Sequence, residues 1–88
     1  MEITLSTGKR FDVNYIWGPM RGTDQIMIDM PEARGVAEVA ADFEGVASIT
    51  KTDPRRPSVT ETYAGYSEIA SIVRERATGT VRITLEKP

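Results

Sequence analysis

The chain has 88 residues, with 11 Lys and Arg against 13 Asp and Glu for a formal charge of -2, and it contains neither histidine nor cysteine. This composition excludes disulfides, the usual general base near neutral pH, a thiol nucleophile and the nitrogen and sulfur ligands that dominate zinc sites. The slight acidity gives no general attraction to a polyanion or an anionic membrane.

The length suits one domain with one modest core. A core of that size supplies only ~3–5 kcal/mol of net stability, so packing, a well-closed sheet or association with other copies must do the rest. Ile3 and Leu5 alternate with Glu2, Thr4 and Ser6, the pattern of a strand with one wet face. Ser6-Thr7-Gly8-Lys9 then supplies a hairpin turn. Phe11, Val13, Tyr15 and Trp17 alternate with Arg10, Asp12 and Asn14, which predicts a second strand with a bulky face directed at the core. Gly18-Pro19-Met20-Arg21-Gly22 lacks the lysine and following helix of a phosphate-binding loop and is read as a turn. A third alternating strand carries Ile26, Ile28 and Met30 up to Pro31.

The period then changes. Val36, Val39, Ala40 and Phe43 fall at i, i+3, i+4 and i+7, which predicts an amphipathic helix with Val36, Val39 and Phe43 buried against the sheet. Gly45 stands where a left-handed C-terminal residue belongs, while Gly35 is a weak N-cap. Strand period returns at Ala47-Ser48-Ile49-Thr50-Lys51, followed by the proline-containing loop from Asp53 to Ser58. A β-prone segment runs from Val59 to about Arg76, with Ala64-Gly65 interrupting it as a bulge or bend. Val81, Ile83 and Leu85 alternate in the closing strand. The expected architecture is an α+β domain spanning residues 1–88, a mostly antiparallel sheet of five or six strands with one short helix, in the order β-β-β-α-β-β-β.

The second half of the chain resembles a group of small proteins from bacteriophages and prophages of Gram-positive bacteria, often encoded near tail or lysis genes. The resembling elements are Ala41-Asp42-Phe43, Ala47-Ser48-Ile49-Thr50, Tyr63-Ala64-Gly65-Tyr66 and Val81-Arg82-Ile83-Thr84-Leu85; the opening Ile3-Thr4-Leu5-Ser6-Thr7-Gly8-Lys9 is similar to the first hairpin of such proteins. The group has no settled biochemical activity, so the resemblance implies a phage or prophage setting and carries no functional residue. With no room for a signal peptide after Met1 and no run of ~18–20 apolar residues, the chain is expected to be made and folded in the cytosol, and in that setting to become virion-associated.

No constellation of reactive groups stands out. Glu38 and Asp42 share a helix face as solvated carboxylates, and neither they nor Glu44 has the spacing of a calcium loop. The expectation is a non-enzymatic interaction, structural or assembly protein, with no catalytic residue, no cofactor, no metal and no membrane. It would act on a protein partner or on itself as a homodimer, through an exposed strand edge or the surface around Trp17. Candidate contact residues are Trp17, Tyr63, Tyr66, Arg55 and Arg56. Arg74, Arg76 and Arg82 are expected to gather at the last hairpin. Without aromatic interleaving or net positive charge, nucleic-acid binding is not expected. The alternative is a small glycan- or nucleic-acid-binding module that uses Trp17 and the arginine-bearing loops.

Overall fold

The computed structural model describes residues 1–19 and 21–88, so Met20 in the expected turn lies outside the described residues. Among the described residues, eight strands and one helix follow one another as β1 (Glu2–Leu5), β2 (Arg10–Asp12), β3 (Tyr15–Trp17), β4 (Gln25–Met30), α1 (Val36–Asp42), β5 (Ser48–Asp53), β6 (Arg56–Ala64), β7 (Glu68–Arg74) and β8 (Val81–Glu86). They form two four-stranded antiparallel sheets, β2-β1-β5-β6 and β3-β4-β8-β7. The α+β character holds, but the expected sheet of five or six strands is corrected to eight strands in two sheets.

The correction has one physical cause, acting twice. Each of two long β-prone segments bends and serves both sheets, as strands do at the corners of packed sheets. At the first corner the N–H of Val13 donates to the Met1 carbonyl at 2.8 Å, on the side of the first sheet. The next residue, Asn14, donates its N–H to the Asp29 carbonyl of the second sheet, also at 2.8 Å. The side-chain phase slips at this step, so Val13 and Ile16 are both buried. Tyr15, expected in the core, is 48% exposed. At the second corner, Gly65 adopts a φ of 84°, a left-handed conformation that glycine reaches at no steric cost, and the chain passes from β6 to β7.

The core lies between the sheets. Ile3, Leu5, Ile49 and Tyr63 face inward from one sheet, and Ile16, Ile26, Ile28, Met30, Val81, Ile83 and Leu85 from the other. The alternation read in β1, β4 and β8 is present as expected, with buried and partly exposed residues in strict succession. Val39 and Phe43 of the helical segment are also buried, but Val36, expected in the core, is the first residue of the helix and is 38% exposed. Its Gly35 N-cap makes no side-chain hydrogen bond. Polar ties compensate. The Lys9 ammonium donates to Asp42 at 2.8 Å, Arg34 pairs with both Asp42 and Glu38, and the Arg34 guanidinium lies 4.7 Å from the centroid of the Phe11 ring.

Candidate interaction surface

Each sheet has two edge strands. β2 and β3 are three residues long, too short to template another chain effectively. β7 is longer, but α1 packs against it. Its Arg74 donates to the carbonyls of Glu32 (3.2 Å), Arg34 (2.8 Å) and Gly79 (2.6 Å), which draws the segment before the helix onto this strand. The nine-residue β6 is different: β5 is its strand neighbour on one side, and its other side has none among the described residues. Only Tyr63 of this strand is buried, so both faces of β6 are open over most of its length.

Hydrogen-bond alternation identifies which backbone groups line the open side. The N–H of Ser6 donates to the Ser48 carbonyl at 2.9 Å, so even-numbered residues of β5 bond toward β1 and odd-numbered ones toward β6. The N–H of Gly65 donates to the Ala47 carbonyl at 3.0 Å, in line with the Tyr63–Ile49 and Glu61–Lys51 pairs. In an antiparallel ladder, bonded residues alternate along the strand. Glu61 and Tyr63 therefore direct their N–H and C=O groups to β5, and Thr60, Thr62 and Ala64 direct theirs to the open side. On the outer face, Thr4, Thr50 and Thr62 stand in one row across β1, β5 and β6, with the Thr50 and Thr62 hydroxyls 3.2 Å apart.

The β5–β6 hairpin continues past the core and forms a cleft of about 360 Å³ lined by Lys51, Asp53, Arg55, Arg56, Val59 and Glu61, among others. The Arg55 N–H donates to the Asp53 carboxylate at 2.9 Å, an Asx turn that shapes the hairpin tip. Lys51 pairs with Glu61 at 3.2 Å. Burial pulls its ammonium pKa down, but hydrogen bonding with Glu61 and Tyr63 outweighs that effect and leaves it above its ordinary 10.5. The side chains of Arg55 and Arg56 make no ion pair among the described residues.

The expected contact residues separate. Arg55 and Arg56 meet in the cleft. Trp17 lies on β3 of the other sheet, half-buried, with the Tyr15 ring 4.6 Å away and the Arg82 guanidinium 5.1 Å from its centroid. Tyr63 and Tyr66, also expected as contact residues, are 4% and 5% exposed and pack edge to face at 6.4 Å inside the second corner, at the turn made by Gly65. Arg74 and Arg82 both lie on the last hairpin, as expected, but at register positions of opposite face, Arg74 across from Val81 and Arg82 across from Val73; Arg74 holds backbone carbonyls while Arg82 pairs with Glu75 at 3.4 Å. Sequence reasoning places this strand within the β-prone segment from Val59 to about Arg76 but does not reveal the outward backbone groups of Thr60, Thr62 and Ala64. Their direction depends on register with β5, and the closest sequence signal was the alternation of Thr60 and Thr62 around Glu61. Comparison of the chain with protein-family models, with curated proteins and with solved structures gave no match.

Proposed function

We propose that this chain is a non-enzymatic interaction protein of phage or prophage type, acting in structure or assembly through contacts with other proteins at the open side of β6. The observation that carries this reading is the set of outward N–H and C=O groups at Thr60, Thr62 and Ala64, on a nine-residue strand with an open edge. These residues offer up to about six backbone hydrogen bonds to an added strand, each worth ~1 kcal/mol net. The phage setting comes from the resemblance of the helix, corner and closing-strand segments.

Thr62→Pro tests the reading, because it deletes one outward N–H and leaves the Glu61 and Tyr63 N–H groups free to hold β5. The folded wild-type chain and the variant are compared for retention of proteins co-expressed from neighbouring genes. Retention by the wild type with about a tenfold loss in the variant is expected, since a strand-addition contact depends on these bonds. Equal retention would overturn the reading.

A second reading, the small glycan- or nucleic-acid-binding module, draws on the Tyr15–Trp17–Arg82 group on the outer face of the second sheet. Its arginine-bearing loop at Arg55 and Arg56 belongs to the other sheet. Titration of the indole fluorescence with oligosaccharides and single-stranded oligonucleotides tests it, and unchanged emission at millimolar ligand removes it.

A further inference from the structure

We infer that the occupant of the open β6 edge is a second copy of this chain, paired antiparallel about a two-fold axis at Thr62 to give one continuous eight-stranded sheet. This inference rests on the interaction reading above and names its partner.

The register and side chains of β6 select this arrangement. The outward groups belong to even-numbered residues, so a two-fold pairing satisfies them when its axis passes through a residue of the strand rather than between two residues. Within the regular part of β6, Thr60 to Ala64, the candidate axes are at Thr60, Glu61, Thr62, Tyr63 and Ala64. An axis at Glu61 would set that carboxylate directly against its own copy, a destabilising like-charge pair. An axis at Thr60 would draw into the new ladder the stretch from Pro57 to Val59, which lies at the register shift with β5 and has no assigned partner there. Axes at Tyr63 or Ala64 would extend the pairing past the corner at Gly65, where the chain leaves the sheet.

The axis at Thr62 uses only the regular ladder. Thr60 then faces Ala64 of the other copy, and Thr62 faces its own counterpart. The threonine row Thr4-Thr50-Thr62 runs on into the same row reversed, extending favourable cross-strand threonine pairs through the junction. Glu61, already held by Lys51, then stands across from the Tyr63 backbone of the other copy instead of a second carboxylate. Antiparallel alignment also sends the Arg55 and Arg56 ends of the two strands in opposite directions, whereas parallel alignment would stack those unpaired cations.

The chain has no native cysteine, which makes the register directly readable. Directly opposed residues of an antiparallel pair lie about 4.5–5.5 Å apart at Cα, within the range a disulfide spans. In a glutathione redox buffer, Thr62→Cys should form a covalent dimer at least about tenfold faster than Thr60→Cys or the β7 control Ser71→Cys, whose sulfurs the two-fold keeps apart. Light scattering on the wild type should give a dimer mass at hundreds of micromolar, and Thr62→Pro and Thr62→Lys should each give a monomer with unchanged far-ultraviolet circular dichroism. A monomeric wild type together with Thr62→Cys cross-linking no faster than Ser71→Cys overturns the second copy as occupant. If Thr62→Pro still abolishes retention of a co-expressed protein, the interaction reading survives that result. A dimer untouched by both Thr62 substitutions places the contact elsewhere and overturns this inference.

Discussion

Phe43 closes α1 at its C-cap with 1% of its surface exposed and stacks on Phe11 at a centroid distance of 6.4 Å. Truncating it opens a cavity between the helix and the first hairpin, and Phe43→Ala should cost ~3–5 kcal/mol in denaturant melts. A cost well below ~1 kcal/mol would mean that the helix does not depend on this contact. The neighbouring Asp42 is tied by charge. The hydrogen bond from Lys9 holds its carboxyl below the ordinary 3.8, burial pushes back upward, and Arg34 adds to the lowering. Because the folded pKa is the lower one, the pairing contributes in full above the unfolded value and is lost as the pH falls through the folded value. Lys9 is half-exposed, so solvent screening holds the contribution to ~1 kcal/mol. Asp42→Asn should lose about that much near neutral pH and show a shallower decline than the wild type in thermal melts as the pH falls below the ordinary carboxylate value. Parallel acid profiles would remove Asp42 from the acid response.

At the scale of elements, the parts legible in the sequence are those whose face is constant from end to end. β1, β4 and β8 each keep one face in the core, and Ile3, Ile28 and Ile83 are found where a period of two puts them. The helix was legible for the same reason, through Val39 and Phe43. Both bent segments were not. A period of two carries no mark of a strand leaving one sheet for another, so strict alternation puts Tyr15 and Trp17 in phase with Val13, although the slip at Asn14 turns them outward. The aromatic residues around Gly65 misled in the opposite direction, because a tyrosine at a bend reads equally as contact or core until the turn is known. The candidate surface was half legible: the hairpin arginines and the β-prone strand are visible in the residues, while the open side of β6 follows from strand order, which no local pattern encodes. Arg74 shows a comparable long-range dependence, since its carbonyl partners at Glu32 and Arg34 lie about forty residues away. Arg74→Met should therefore speed amide exchange around Glu32 to Gly35 and lower the melting temperature by ~4–8 °C, the equivalent of ~1 kcal/mol. An unchanged exchange rate in that segment would show that the guanidinium does not hold it.

Across the whole molecule, burial is concentrated between the sheets, where Ile26, Ile28, Ile49, Val81 and Ile83 are fully enclosed, while every residue from Pro54 to Thr62 is exposed. The hairpin arm thus adds little to the core, and its conformation is held by the ladder to β5. This separation gives the fold a stable body and an arm whose outer edge is available to another chain, the division of labour expected of a surface used for binding. It also predicts a hydrogen-exchange profile that no uniformly flexible arm would give. In dilute solution, where partners are absent, the outward amides of Thr60, Thr62 and Ala64 have only water to bond, while those of Glu61 and Tyr63 are held by β5. Exchange followed residue by residue by NMR should alternate along this stretch, the even-numbered amides exchanging at least about tenfold faster than the odd-numbered ones. If copies pair at this edge as inferred above, raising the concentration to hundreds of micromolar should protect Thr60, Thr62 and Ala64 selectively and leave Glu61 and Tyr63 nearly unchanged. A flat profile from Thr60 to Ala64 at both concentrations would mean that the open edge of β6 has been assigned the wrong backbone groups.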